Sequence, residues 1–208
     1  MGFITLSLVI IVITSLISIQ AFNKREIMYK LEYSPYLVSN KRQFYRMGSV
    51  VLVHSDGTHL FVNMLVLFMF GRSVEGVFST EFGFFGPLLF LLLYIGGALF
   101  ASLPAMGKHR NNPNYRAVGA SGAVSSIVFC FILIFPTENI NLLILPFLDI
   151  PAWIFGGMYL ALEYYLDKRS MDNVAHDAHF WGALFGIIFP LLLRPELGPR
   201  FLALIGVF

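Results

Sequence analysis

The sequence predicts an all-α membrane protein, a bundle of six membrane-spanning helices, on three observations. Of its 208 residues, 57% are hydrophobic and only 12% are charged, where a soluble domain carries about 25% charged residues. Mean hydropathy is +0.75, more apolar character than a soluble core of this size can hide. The apolar residues fall into six stretches separated by polar loops, each near the roughly 17–25 residues needed to cross a bilayer.

The first stretch is 3–22. No Lys or Arg precedes it, no small-residue cleavage site follows it, and Asn23-Lys24-Arg25 comes next, so it reads as a retained span rather than a signal peptide. Residues 24–46 are too charged to cross and include Pro35. The second span is 58–78, approached by the apolar 49–53, and the third is 83–103. A polar loop, 105–116, holds Lys108, Arg110, Pro113 and Arg116. The fourth span is 119–135, and the fifth, 150–166, is reached through Pro146 and Pro151. The sixth, 175–193, stops at Arg194-Pro195, and the apolar tail is too short to cross, so it lies at the interface or packs on the bundle. Residues 1–208 therefore read as one membrane domain.

Several functions are set aside by composition. A net charge of +2 without a basic stripe excludes a nucleic-acid partner. The single cysteine, Cys130, excludes a disulfide framework and reads as a small buried residue. No internal repeat is evident, which weighs against a transporter built from inverted halves.

Polar residues at membrane depth are costly and therefore functional suspects. One group is His54-Ser55-Asp56-Gly57-Thr58-His59 with Asn63, in which His59 and Asn63 share a helix face. A second is Gly119-Ala120-Ser121-Gly122, a serine framed by glycines where a helix begins. The free N–H groups and positive dipole end there suit an oxyanion. The third is Asp172-Asn173-Val174-Ala175-His176-Asp177-Ala178-His179, leading into Gly182 and Gly186.

Ala178, Gly182 and Gly186 form a smooth stripe that lets a second helix approach closely. The fourth helix, which also starts with small residues, is the natural partner, and their contact would bring Ser121 to His179. His179 could then act as general base and later general acid. His59, Asn63 and the Ser121 N–H would receive the developing negative charge.

Each residue also has a plainer reading. Ser121 alone is a packing or capping residue, His54 a structural residue bonding backbone, and Asn63 a bridge between helices. His176, one turn before His179, is expected to be solvated. Arg72 and Glu75 read as a polar cluster, and Glu163 as facing a wet interface. The coincidence of three groups on three helices favours chemistry.

These residues resemble the signature motifs of the rhomboid intramembrane serine proteases. His59-x-x-x-Asn63, Gly119-x-Ser121-Gly122 and Ala178-His179-x-x-Gly182-x-x-x-Gly186 fall in the family's order on the second, fourth and sixth helices, and Arg46 and His54 look like its approach to the second. The resemblance implies a rhomboid-type six-helix bundle and a Ser121–His179 dyad. It implies an oxyanion hole of His59, Asn63 and the Ser121 N–H, with Gly119, Gly122, Gly182, Gly186 and His54 as structural neighbours. Substrates would be transmembrane segments of other proteins, cut within the lipid bilayer, with no cofactor and no metal.

Two features depart from the family pattern. The family usually has an aromatic four residues after the nucleophile, stacked on the catalytic histidine. Here Ser125 stands there, with Ser126 next, so the orientation of the histidine is expected to come from elsewhere. Lys and Arg number six in the first loop, three in the third and two in the fifth. The positive-inside rule puts those loops in the cytoplasm, opposite to the bacterial rhomboid arrangement.

Two other classes compete. His54, His59, His176, His179, Asp172 and Asp177 could gather a Zn²⁺ for a membrane hydrolase or transporter, although no HExxH motif is present. Alternatively the chain is an inactive relative that binds membrane clients. The short chain suggests a bacterial inner membrane.

Overall fold

The structure is a computed structural model that describes residues 5–142, 145–169 and 176–207. Each predicted span falls on one helix: α1 (Leu6–Asn23), α5 (Gly57–Phe82), α6 (Gly86–His109), α7 (Ser121–Ile134), α8 (Ala152–Arg169) and α9 (His176–Leu193). Leu6–Asn23, Gly57–His109 and His176–Leu193 are long and apolar enough to cross a membrane. The protein is thus an all-α membrane protein.

Side-chain placement agrees with lipid as the solvent. On α1 the inward residues are Ser7, Thr14, Ser18 and Ala21, while Val12 and Leu16 are 56% and 57% exposed. Small polar residues inside and bulky apolar ones outside suit packing in lipid, where close backbone contact replaces the hydrophobic drive.

α7 is the centre of the bundle. It has 14 residues and buries nearly its whole circumference against α5, α6 and α9. The packing with α9 is at backbone distance. A Cβ on Gly182 would overlap the Gly122 carbonyl, and one on Gly186 would overlap Ser126 backbone. Gly97 of α6 lies equally close to the Ser126 side chain. Here glycine is required by space, as the small-residue stripe predicted.

The polar segment after α1 forms a helical cap: α2 (Arg25–Leu31), α3 (Pro35–Lys41), α4 (Arg46–Ser49) and a short 3₁₀ turn, Val50–Leu52. Arg46, 3% exposed, ties it together by donating to the Tyr29 and Glu32 carbonyls at 2.7 and 2.8 Å.

Two expectations need correction, and one of two alternatives is decided. A small antiparallel hairpin, β1 (Asn139–Leu142) and β2 (Leu145–Pro151), joins α7 to α8. The alternation of Asn139-Ile140-Asn141-Leu142 is a strand pattern inside what reads as a loop. The tail forms α10 (Leu197–Leu204), which packs on α7 and α9. Glu75 forms no ion pair with the exposed Arg72 among the described residues; it accepts from the Leu6 and Ser7 N–H groups at 2.6 and 2.9 Å. A buried carboxylate thereby caps the otherwise unsatisfied start of α1, where the helix dipole favours negative charge.

Candidate active site

Ser121 opens α7, and the residue before it offers no side-chain cap. The first N–H groups of the helix therefore lack intrahelical partners. The strand of chain leading to Ser121 is pinned from the cap in four places. Tyr33 and Ala117 exchange backbone hydrogen bonds at 2.9 and 3.0 Å, and the Gly119 N–H donates to the Val50 carbonyl at 3.2 Å. Arg116 pairs with Glu32 at 2.8 Å. The fourth point is His54.

His54 is fully buried. The Ala120 N–H donates to its Nε2 at 3.3 Å, so the neutral ring carries its proton on Nδ1. Nδ1 then donates to Ser18 Oγ at 3.0 Å, and Ser18 donates to the Leu52 carbonyl at 2.9 Å. Both nitrogens are occupied with holding α1, the cap and residue 120 together. This matches the structural reading of His54.

His59 stands one helical turn into α5, which Asp56 caps by accepting from the His59 N–H at 2.8 Å. That bond and the Ser55 hydroxyl hold the Asp56 carboxyl below its ordinary range. The His59 ring bonds Ser55 Oγ through Nδ1 at 3.0 Å and lies against Gly119. Gly119 has φ 118°, and a Cβ there would sit 2.6 Å from His59 Cε1. Conformation and space thus both require glycine. Asn63, buried on the same helix, donates from Nδ2 to the His59 carbonyl at 2.9 Å, which leaves one amide hydrogen for other use.

His179 and Ser121 lie at the crossing of α7 and α9. The Ala178 carbonyl is 3.4 Å from where a Gly122 Cβ would be, and Gly182 abuts the Gly122 carbonyl. Each of these contacts is made by a chain neighbour or near neighbour of the two residues. No hydrogen bond joins Ser121 to His179 among the described residues.

The residue that sequence reasoning misplaced is Glu163. It is 7% exposed rather than wet, and each of its oxygens accepts from a histidine. Oε1 takes His179 Nδ1 at 3.1 Å, and Oε2 takes His176 Nδ1 at 2.6 Å. His176 is correspondingly buried, not solvated. A signal was present: Glu163 is the only charged residue in 152–166, and the cost of charge in lipid should have made it suspect. Among the described residues no aromatic side chain stacks on His179, whose ring meets that of His176 edge-on, and Ser125 Oγ instead bonds Tyr159 Oη of α8 at 3.1 Å.

Among the described residues, the larger metal cluster considered from sequence does not assemble. His54 is occupied as described, and Asp177 pairs with Lys108 at 3.0 Å. Asp172 and Asn173 lie outside the described residues. A smaller group does converge: Glu163, His176 and His179 have ligand atoms within 4.8 Å of one another.

Comparison with known proteins agrees with the motifs. The rhomboid domain model matches residues 41–196. RHOMBOID-like protein 12, mitochondrial, of Arabidopsis thaliana is 27% identical over 150 residues, covering 65% of this chain and 42% of the relative. Rhomboid protein 1, mitochondrial, of Saccharomyces cerevisiae is 30% identical over 151 residues, covering 65% and 38%. A Bacillus subtilis protein provisionally named a rhomboid protease is 30% identical over 102 residues, covering 48% and 46%. The chain spans less than half the length of these relatives. With the matched region running from the cap through the starts of α5, α7 and α9, this chain belongs to the rhomboid family.

Proposed function

We propose that this protein is an intramembrane serine endopeptidase that cleaves transmembrane segments of other membrane proteins, with residues 1–208 forming one catalytic membrane unit. Ser121 Oγ attacks the scissile carbonyl carbon and its proton passes to His179 Nε2. The C–N bond then breaks, and the amine leaves with that proton. Water, deprotonated by the same nitrogen, hydrolyses the acyl-Ser121 ester and restores the serine. The oxyanion is received by the Ser121 N–H at the start of α7, by His59 and by the second amide hydrogen of Asn63. His59 donates from Nε2 when its ring carries both protons, or when Ser55 turns its hydroxyl from Asp56 to Nδ1.

The observation that supports this reading is the glycine-mediated crossing of α7 and α9, in which Gly122 meets the Ala178 carbonyl beside residues 121 and 179, with His59 against Gly119. A transmembrane substrate hides its carbonyls in helical hydrogen bonds, so helix-breaking residues near the cut should favour cleavage. The test is turnover of a transmembrane reporter in detergent. Ser121→Ala and His179→Ala should each abolish it, and a fluorophosphonate should label the wild type but not Ser121→Ala. Full activity in either variant sinks the dyad.

Two other readings each have one observation behind them. Convergence of Glu163, His176 and His179 suits a metal-dependent hydrolase; a stoichiometric metal whose chelation abolishes activity would favour it. The missing Ser121–His179 hydrogen bond suits a client-binding role, which absence of fluorophosphonate labelling would favour. The relatives' names divide between mitochondria and a bacterium, so the bacterial inner membrane expected from sequence gains nothing from them.

A further inference from the structure

We infer that Glu163 is a positioning residue for His179, holding the ring from α8 so that its Nε2 stays the lone-pair nitrogen. This rests on the assignment of Ser121 and His179 as nucleophile and base.

A buried carboxylate is stable in its charged form only when hydrogen-bonded donors compensate for lost water. Glu163 meets that requirement with both oxygens, one on His179 Nδ1 and one on His176 Nδ1. A carboxylate has no proton to give, so each contact places the histidine proton on Nδ1. For His179 this selects the tautomer in which Nε2 is bare, the form a general base needs. Without the carboxylate, a neutral imidazole can hold its proton on either nitrogen, and the form protonated at Nε2 cannot take a proton from serine.

The position of Glu163 is also referenced to the helix of the nucleophile. Ser125 lies one turn beyond Ser121 on α7, and its Oγ bonds Tyr159 Oη at 3.1 Å. Tyr159 lies one turn before Glu163 on α8. A closed path therefore runs from Ser121 along α7 to Ser125, across to Tyr159, along α8 to Glu163 and across to His179. The position that carries Ser125 in place of an aromatic thus still contributes to aligning the histidine, through α8.

The experiment uses the full chain, purified in detergent and labelled with ¹⁵N-histidine. Ring-nitrogen shifts of His179, assigned by their loss in His179→Ala, should report the Nδ1-protonated tautomer in the wild type. Glu163→Leu should shift them toward a mixture. In parallel, Glu163→Gln should lower kcat on a transmembrane reporter about 100-fold with KM within about twofold and the melting temperature little changed. Glu163→Asp, which keeps the charge, should recover part of that loss, and it carries the kinetic test if Glu163→Gln does not fold.

A Glu163→Gln kcat within about threefold of wild type, or a His179 tautomer unchanged in Glu163→Leu, overturns the inference. If Ser121→Ala and His179→Ala are inactive while Glu163→Gln is fully active, this inference fails alone. If Ser121→Ala is fully active, the underlying assignment fails, and the ring-nitrogen shifts still decide whether Glu163 sets the His179 tautomer.

Discussion

His54 and His179 are held alike at one nitrogen and differ at the other. Each engages a side chain through Nδ1: Ser18 for His54, Glu163 for His179. His54 Nε2 then accepts from the Ala120 N–H, whereas His179 Nε2 has no hydrogen bond among the described residues. A histidine with both nitrogens engaged is a structural tie. One with a single nitrogen anchored is oriented and still has a lone pair to use. Role is therefore read from the second nitrogen rather than from burial or motif.

The largest test of that contrast is chemical. His179→Ala should lower turnover of a transmembrane reporter by about 10²–10⁴-fold. His54→Ala should keep turnover within about tenfold of wild type, because it removes a tie to backbone rather than a proton carrier. Equal losses in the two variants would break the distinction.

A second effect concerns the frame on which the two residues sit. Gly182→Val forces a side chain into the Gly122 carbonyl, whereas Gly157 of α8 has open space around it. Unfolding in detergent should show Gly182→Val destabilised by about 1–3 kcal/mol or more, with Gly157→Val close to wild type. Next in size, His54→Ala strands the Ala120 N–H and should cost about 1–3 kcal/mol in the same measurement.

The smallest effect belongs to the cap beneath His59. The Asp56 carboxyl is held below its ordinary range, chiefly by the His59 N–H. Its contribution is therefore complete above the ordinary carboxylate pKa and is lost as pH falls through the lower, folded value. Acid titration followed by unfolding should show this small loss in wild type. In Asp56→Asn, which caps without titrating, it should be absent.

The helices were legible because lipid demands long apolar runs, and their order carried the motif set. The placement of Ser121 at a helix start, of His59 in the first turn of α5 and of His179 beside the α7–α9 contact was legible because glycine framing, helix starts and small-residue spacing are local patterns. Glu163 was not, since its partners lie 13 and 16 residues away on another helix and nothing local says which way it faces. The second bond of His54 was equally hidden, because its donor is a backbone group 66 residues distant. The hairpin before α8 was lost beneath its prolines.

The brevity of α7 has an electrical consequence. Fourteen residues at about 1.5 Å each give about 21 Å, short of the roughly 30 Å hydrocarbon slab. A helix of that length can start well below the surface of the slab. The positive end of its dipole would then lie beside lipid of low dielectric, where a fixed partial charge acts more strongly than in bulk water.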